Sequence, residues 1–108
     1  MKNNIFANFG QGECLYINGA SNVTYSDYNN LYSLGANVGY FNANVADLAA
    51  WQAASGYDAN GISVDPGYYS DFDLHVCSDS LDGKGTPLAL VTDDIDKQMR
   101  DASTPDIG

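Results

Sequence analysis

The chain carries one histidine, and its setting is the first place to look for chemistry. His75 stands two residues after Asp73 in Asp73-Leu74-His75-Val76. On a strand those two side chains share a face, so the aspartate could orient the imidazole as a general base. No nucleophile or second base can be set beside the pair from spacing alone. A structural, half-buried histidine bonded to Asp73 accounts for the pattern better, and no catalytic set is assigned. The densest acids are Asp93, Asp94 and Asp96, with Asp101 and Asp106 following. Alternating carboxylates suit hard cations, calcium above all. The EF-hand spacing fails, because Met99 falls where that loop needs glycine and no glutamate closes it. Lys97 and Arg100 compete as counter-charges, so the stretch reads as a loop in which Arg100 ties down carboxylates. No cofactor is expected, and calcium is the one metal these acids could hold. Tyr57, Tyr68 and Tyr69, with Tyr28, are candidate ring platforms for sugars, although tyrosine equally fills small β interiors. Gly83-Lys84-Gly85-Thr86 has neither the spacing nor the strand–helix setting of a phosphate loop.

These side chains need elements to hold them, and composition says which kind. Among 108 residues, 44% are hydrophobic and 17% charged, which fits one domain with a core rather than a disordered chain. Eleven asparagines, eleven glycines and eight tyrosines point to short strands joined by tight corners. The net charge is −10, with thirteen of the fourteen acids Asp and only four Lys or Arg. Such a field repels phosphate backbones, which excludes ordinary nucleic-acid binding, and it favours cations or a basic partner. Four basic residues are also a poor supply for gripping uronates, which disfavours a lyase. Cys14 and Cys77 could form one disulfide but read better as small buried apolar residues. No run reaches the ~18–20 apolar residues of a membrane span. The residues after Lys2 hold no signal-peptide-like apolar run, so the compartment stays unassigned.

Two phrases recur. Asn3-Asn4-Ile5-Phe6 returns as Asn29-Asn30-Leu31-Tyr32, an offset of 26, and Tyr16-Ile17-Asn18 as Tyr40-Phe41-Asn42, an offset of 24. A period of roughly 20–50 residues marks stacked architecture. Short strands are expected at Ile5-Phe6, Leu15–Ile17, Val23–Tyr25, Leu31-Tyr32 and Val38–Phe41, each ended by Asn, Gly or Ser-Asp. The repeated asparagines should hydrogen-bond their equivalents one layer away. Residues 44–55 predict a helix capped by Asn44, ended at Gly56 and burying Trp51. Ile62–Val64, Phe72, Leu74–Val76 and Leu88–Val91 read as later strands, with Asp65-Pro66-Gly67 a turn and residues 78–86 a loop. The acidic stretch from Thr92 reads as a cap or a disordered tail.

Several segments, in order, resemble the C-terminal portion of right-handed parallel β-helix repeat proteins, the pectate-lyase-like coils of bacterial secreted and surface proteins. They are the Asn-Asn-Ile-Phe rung, Ser26–Tyr32, Ala46–Gln52, Ser63–Gly67 and Asp73-Leu74-His75. The closing Thr92–Asp96, Arg100 and Pro105-Asp106-Ile107-Gly108 complete the set. Lys97 departs from the glycine usual in that family. The resemblance implies the terminal piece of a longer coil, with any active site on turns upstream, and faces that meet polysaccharide.

The fold expected is mainly β: a short right-handed parallel β-helix, or solenoid, with one packed α-helix and an acidic C-terminal cap. It divides as β-helix turns at 1–43, helix at 44–56, further strands at 57–91 and cap or tail at 92–108, all in a single domain. The function expected is a non-enzymatic structural or binding module, carbohydrate-facing and self-associating. A homodimer is the simplest oligomer, because an uncovered first layer presents strand edges. Two alternatives stay open. One is a polysaccharide-processing enzyme fragment built on Asp73, His75 and nearby aspartates, and the other an acidic module that engages a basic protein.

Overall fold

The repeated phrases do pair, but one of them at a register that comparing the phrases misses by one residue. The computed structural model describes residues 1–19 and 23–108. Strand β1 (Ile5–Asn8) lies parallel to β3 (Asn30–Ser33), and β2 (Leu15–Ile17) lies parallel to β4 (Gly39–Phe41). The second pair sets Tyr16 opposite Tyr40, as the phrases suggest. In the first pair Phe6, not Ile5, stands opposite Leu31. A one-residue slip exchanges the two faces of a strand. Phe6 therefore joins the fully buried Leu31 against the core, and Ile5 turns to the other side, close to Gly108. The corner causes the slip. Asn3 and Tyr28 both hold left-handed backbone, at φ 55° and 58°, and Asn3 N–H donates to Tyr28 O at 3.0 Å. Asn4 then meets Asn29, whose Oδ1 accepts from both the backbone N–H and the Nδ2 of Asn4 at 2.9 Å.

On the β2-β4 side layering stops at two, and the expected parallel β-helix does not form. The strands fall into small separate sheets with the orders β1-β3, β2-β4-β5 and β6-β7. After β4 the chain reverses through Asn42 (φ 56°), with Phe41 N–H donating to Ala43 O at 2.8 Å. Strand β5 (Asn44–Val45) thus returns antiparallel on β4 and fills the edge that a third parallel strand would need. Ile62 makes one isolated bridge to Asn30. Strands β6 (Tyr68–Ser70) and β7 (Asp73–Val76) form an antiparallel hairpin. Val23–Tyr25 and Leu88–Val91 form no strand. Of the repeated asparagines, Asn4 and Asn29 bond across the two layers, but the others form no ladder. Asn30 and Asn3 each grip a distant backbone, their amides donating to and accepting from Val64 and Thr86 respectively.

Helix α1 (Leu48–Ser55) is shorter than expected, because Asn44 and Val45 are spent on β5. Asp47, in place of Asn44, is the N-cap, its Oδ1 accepting from Ala50 N–H at 2.8 Å. Gly56 ends the helix in the left-handed conformation, its N–H bonded to Gln52 O. Trp51 is the buried residue of α1 and packs with Ile17, Leu31, Val38 and Val45. Its ring lies against β4 only because residue 39 is glycine. A Cβ there would sit 2.9 Å from Trp51 Cζ3. Among the described residues no helix is long and apolar enough to cross a membrane.

The acidic tail is an ordered cap. Asp93 bridges Met99 antiparallel, and Arg100 N–H donates to Thr92 O. The chain then runs back under Asn3, with Ile107 N–H bonded to Leu81 O, Gly108 N–H to Asn3 O, and both Leu81 and Ile107 buried. Arg100 binds the backbone oxygens of Asp106 and Gly108 rather than carboxylates, which corrects the expected ion-paired loop.

Candidate functional site

Strand alternation puts Asp73 and His75 on one face of β7, as the sequence requires. The fold then adds a residue that spacing could not place there. His75 Nδ1 contacts Asp73 Oδ1, and His75 Nε2 lies 2.7 Å from Asp96 Oδ2 on the 93–99 hairpin. The imidazole is a clasp between two acidic turns. It is exposed, not half-buried, with 59% of the side chain accessible. Hydrogen bonds donated to Asp73 and then Asp96 raise its pKa from 6.5 to about 9. The same contact with His75 pulls Asp73 below the ordinary carboxylate value. At neutral pH His75 is therefore an imidazolium with both N–H groups donated, and it has no lone pair with which to take a proton.

The pH dependence follows from the signs. A folded pKa above the unfolded one gives stabilisation that is whole below 6.5 and is lost as pH rises through about 9. Proton NMR of the His75 ring is expected to show a midpoint well above 6.5, toward 9, with contacts to residues 93–99 weakening over the same range. A midpoint at the ordinary value would remove the clasp.

The candidate calcium ligands do not converge. Asp94 Oδ1 accepts from Asp96 N–H and Gln98 N–H and closes its own turn, while Asp96 is taken by His75. Among the described residues no group of three His, Cys, Asp or Glu side chains is arranged to hold a metal ion. Asp82 and Asp106 do meet, beside an open cleft of about 230 Å³ also lined by Cys77, Asp79 and Leu81. The hydrogen bond with Asp106 raises the Asp82 pKa above its ordinary value. Carboxyls in hydrogen-bond contact are too close for glycoside cleavage, which keeps them ~5–9.5 Å apart to admit a sugar carbon or a water. A second, larger groove of about 390 Å³ runs between residues 86–92 and 99–105. Its one cation, Arg100, is engaged with Asp106 and Gly108.

Of the candidate tyrosines, two serve the fold. Tyr57 donates its hydroxyl to Val23 O and sets its ring edge-on to Phe41. Tyr68 is half-buried beside Phe9, and burial raises its hydroxyl pKa. Tyr28 is half-buried at the left-handed corner. Tyr69 alone is presented, 75% accessible, next to the hairpin tip where Phe72 is 99% accessible. Both cysteines are free thiols. Burial pushes Cys14 up to about 11, whereas Cys77 is exposed rather than buried.

The most elaborate polar cluster was not singled out by sequence reasoning. Asp58 is fully buried. Its carboxyl accepts from Ser26 Oγ at 3.0 Å, Asn29 Nδ2 at 2.7 Å and Trp51 Nε1 at 3.0 Å. Its backbone oxygen takes Gln52 Nε2 at 2.7 Å. Nearby, Asp27 is opposed by burial, yet hydrogen bonds from Asn60, Tyr28 and Tyr25 outweigh it and hold the pKa low. The Asp58-Ala59-Asn60-Gly61 turn was the available signal. These groups face inward and saturate one another, so they brace the fold and offer nothing to a ligand.

Compared with protein-family models, curated proteins and solved structures, the chain matches none. The pectate-lyase-like resemblance gains no support from them.

Proposed function

We propose that the chain is a non-enzymatic module with a structural or binding role, carbohydrate-facing and self-associating. The observation that carries this reading is the state of His75. The one imidazole in the chain spends both ring nitrogens on Asp73 and Asp96, so it is not free to act as a general base. The hydrogen bonding of Asp82 with Asp106 weighs against a polysaccharide-processing enzyme, whose two carboxyls stand apart. The β6–β7 hairpin supports the ligand class. Tyr69 and Phe72 stand clear of the core, with Asp71 and Asp73 flanking Phe72, and aromatic faces beside carboxylates suit the CH faces and hydroxyls of sugars.

A glycan array with a parallel turnover screen tests both parts. Binding without cleavage is expected, and Tyr69→Ala or Phe72→Ala should weaken it by about tenfold, the ~1.5 kcal/mol of a stacking contact. Turnover of any glycan would overturn the non-enzymatic reading. Failure of every glycan to bind would overturn the ligand class.

A further inference from the structure

We infer that the outer edge of β2 is the surface through which two copies of this chain pair, by antiparallel alignment about a two-fold axis at Tyr16. The inference rests on the self-associating part of the proposed function and names its surface. Strand β2 is the end strand of the β2-β4-β5 sheet, and among the described residues no segment pairs with its outer side. In a parallel pair, alternate residues turn both backbone groups toward the same neighbour. Ile17 O accepts from Asn42 N–H at 3.1 Å, on the β4 side. Ile17 thus bonds inward, and Tyr16, next to it, directs its N–H and C=O outward. The edge carries no proline, lysine or bulge of the kind that natural edge strands use to refuse partners.

A three-residue strand with one outward-facing residue at its centre is self-complementary. Two-fold antiparallel pairing makes Tyr16 and the partner's Tyr16 a hydrogen-bonded pair that exchanges both backbone bonds. The side chains fit the same operation. Tyr16 is 64% accessible, and its ring stacks on Tyr40 with centroids 4.4 Å apart and planes 8° from parallel. Pairing places the partner's Tyr16 beside the free side of this stack and extends two rings to four.

Charge selects a second copy as the occupant. A chain of net charge −10 repels itself over most of its surface. Only Glu13 and Asp27 of its fourteen acids precede residue 47, and Lys2 accompanies them. Asp27 is spent on internal hydrogen bonds, and Asp47 lies past β5, at the opposite side of the sheet. Glu13 is then the one acid next to β2 in sequence, so two copies meet at this edge with less repulsion than the net charge implies. So short a contact belongs at the small end of specific interfaces, so the dimer should dissociate on dilution and tighten with added salt.

Sedimentation or light scattering of the whole chain is expected to show twice the 11.5 kDa chain mass at high concentration. Tyr16→Lys should halve that mass while leaving the Trp51 fluorescence of the fold intact. A wild-type chain that stays monomeric at every concentration overturns self-association, and this inference with it. A dimer that Tyr16→Lys leaves whole overturns the β2 edge alone. Hydrogen exchange reads the same point without a substitution. The Tyr16 amide should exchange more slowly in the concentrated sample, and an unchanged rate in a dimeric sample also overturns the edge.

Discussion

Asp58→Ala is expected to cost about 3–5 kcal/mol, because three buried donors lose their acceptor at once and each costs ~1–3 kcal/mol unpaired. Ser26 Oγ, Asn29 Nδ2 and Trp51 Nε1 all converge on that carboxyl, and no water reaches it. Small domains hold only about 5–15 kcal/mol in total, so most of the margin goes. Asp58→Asn separates the causes. Asparagine tolerates the left-handed backbone found there, φ 53°, so the turn survives. Its amide nitrogen, however, must face a donor, and a smaller loss of about 1–3 kcal/mol is expected. Urea unfolding followed by Trp51 fluorescence measures both. A change within ~0.5 kcal/mol for Asp58→Ala would show that the cluster is incidental.

Trp51→Ala should cost a similar amount, about 3–5 kcal/mol, for a different reason. The indole is fully buried, edge-on to Phe41 with centroids 5.8 Å apart and pressed on Gly39. Removing it opens a cavity that β4 and β5 cannot close, since both are held in one ladder. Trp51→Phe keeps much of the ring but removes the N–H donated to Asp58, and about 1–2 kcal/mol is expected. The two sites share a hydrogen bond, so Trp51→Phe combined with Asp58→Ala should cost less than the separate losses together. Urea unfolding followed by circular dichroism gives the cycle. Strict additivity would mean that the indole N–H contributes nothing to Asp58.

Much of the local structure was legible. The short apolar runs at Leu15–Ile17, Leu31-Tyr32 and Leu74–Val76 are strands, Gly56 ends the helix, and Trp51 is core. Each is decided by neighbours in sequence, through strand alternation, a left-handed glycine or an apolar ring too large to leave wet. The Asp73–His75 contact was legible for the same reason. Asp96 was not, because the 93–99 hairpin reaches His75 only after the tail folds back under Asn3. The three Asp residues at 93–96 showed the opposite failure. They are adjacent in sequence, yet Asp94 turns inward on its own loop and Asp96 outward to His75.

The repeated Asn-Asn-apolar phrase divides what the residues determined alone from what packing decided. Residue order alone called for two layers of short parallel strands, because corner residues and apolar runs recur about 25 residues apart. It could not determine the register, since a left-handed Tyr28 shifts β3 by one residue and only the core shows that Phe6, not Ile5, points in. Nor could it determine where the layering stops. That depends on a two-residue strand, Asn44–Val45, whose helical propensity is overridden once its backbone finds partners on β4. Local preference is worth only a few tenths of a kcal/mol per residue, and a completed hydrogen-bond ladder over a buried core outweighs it.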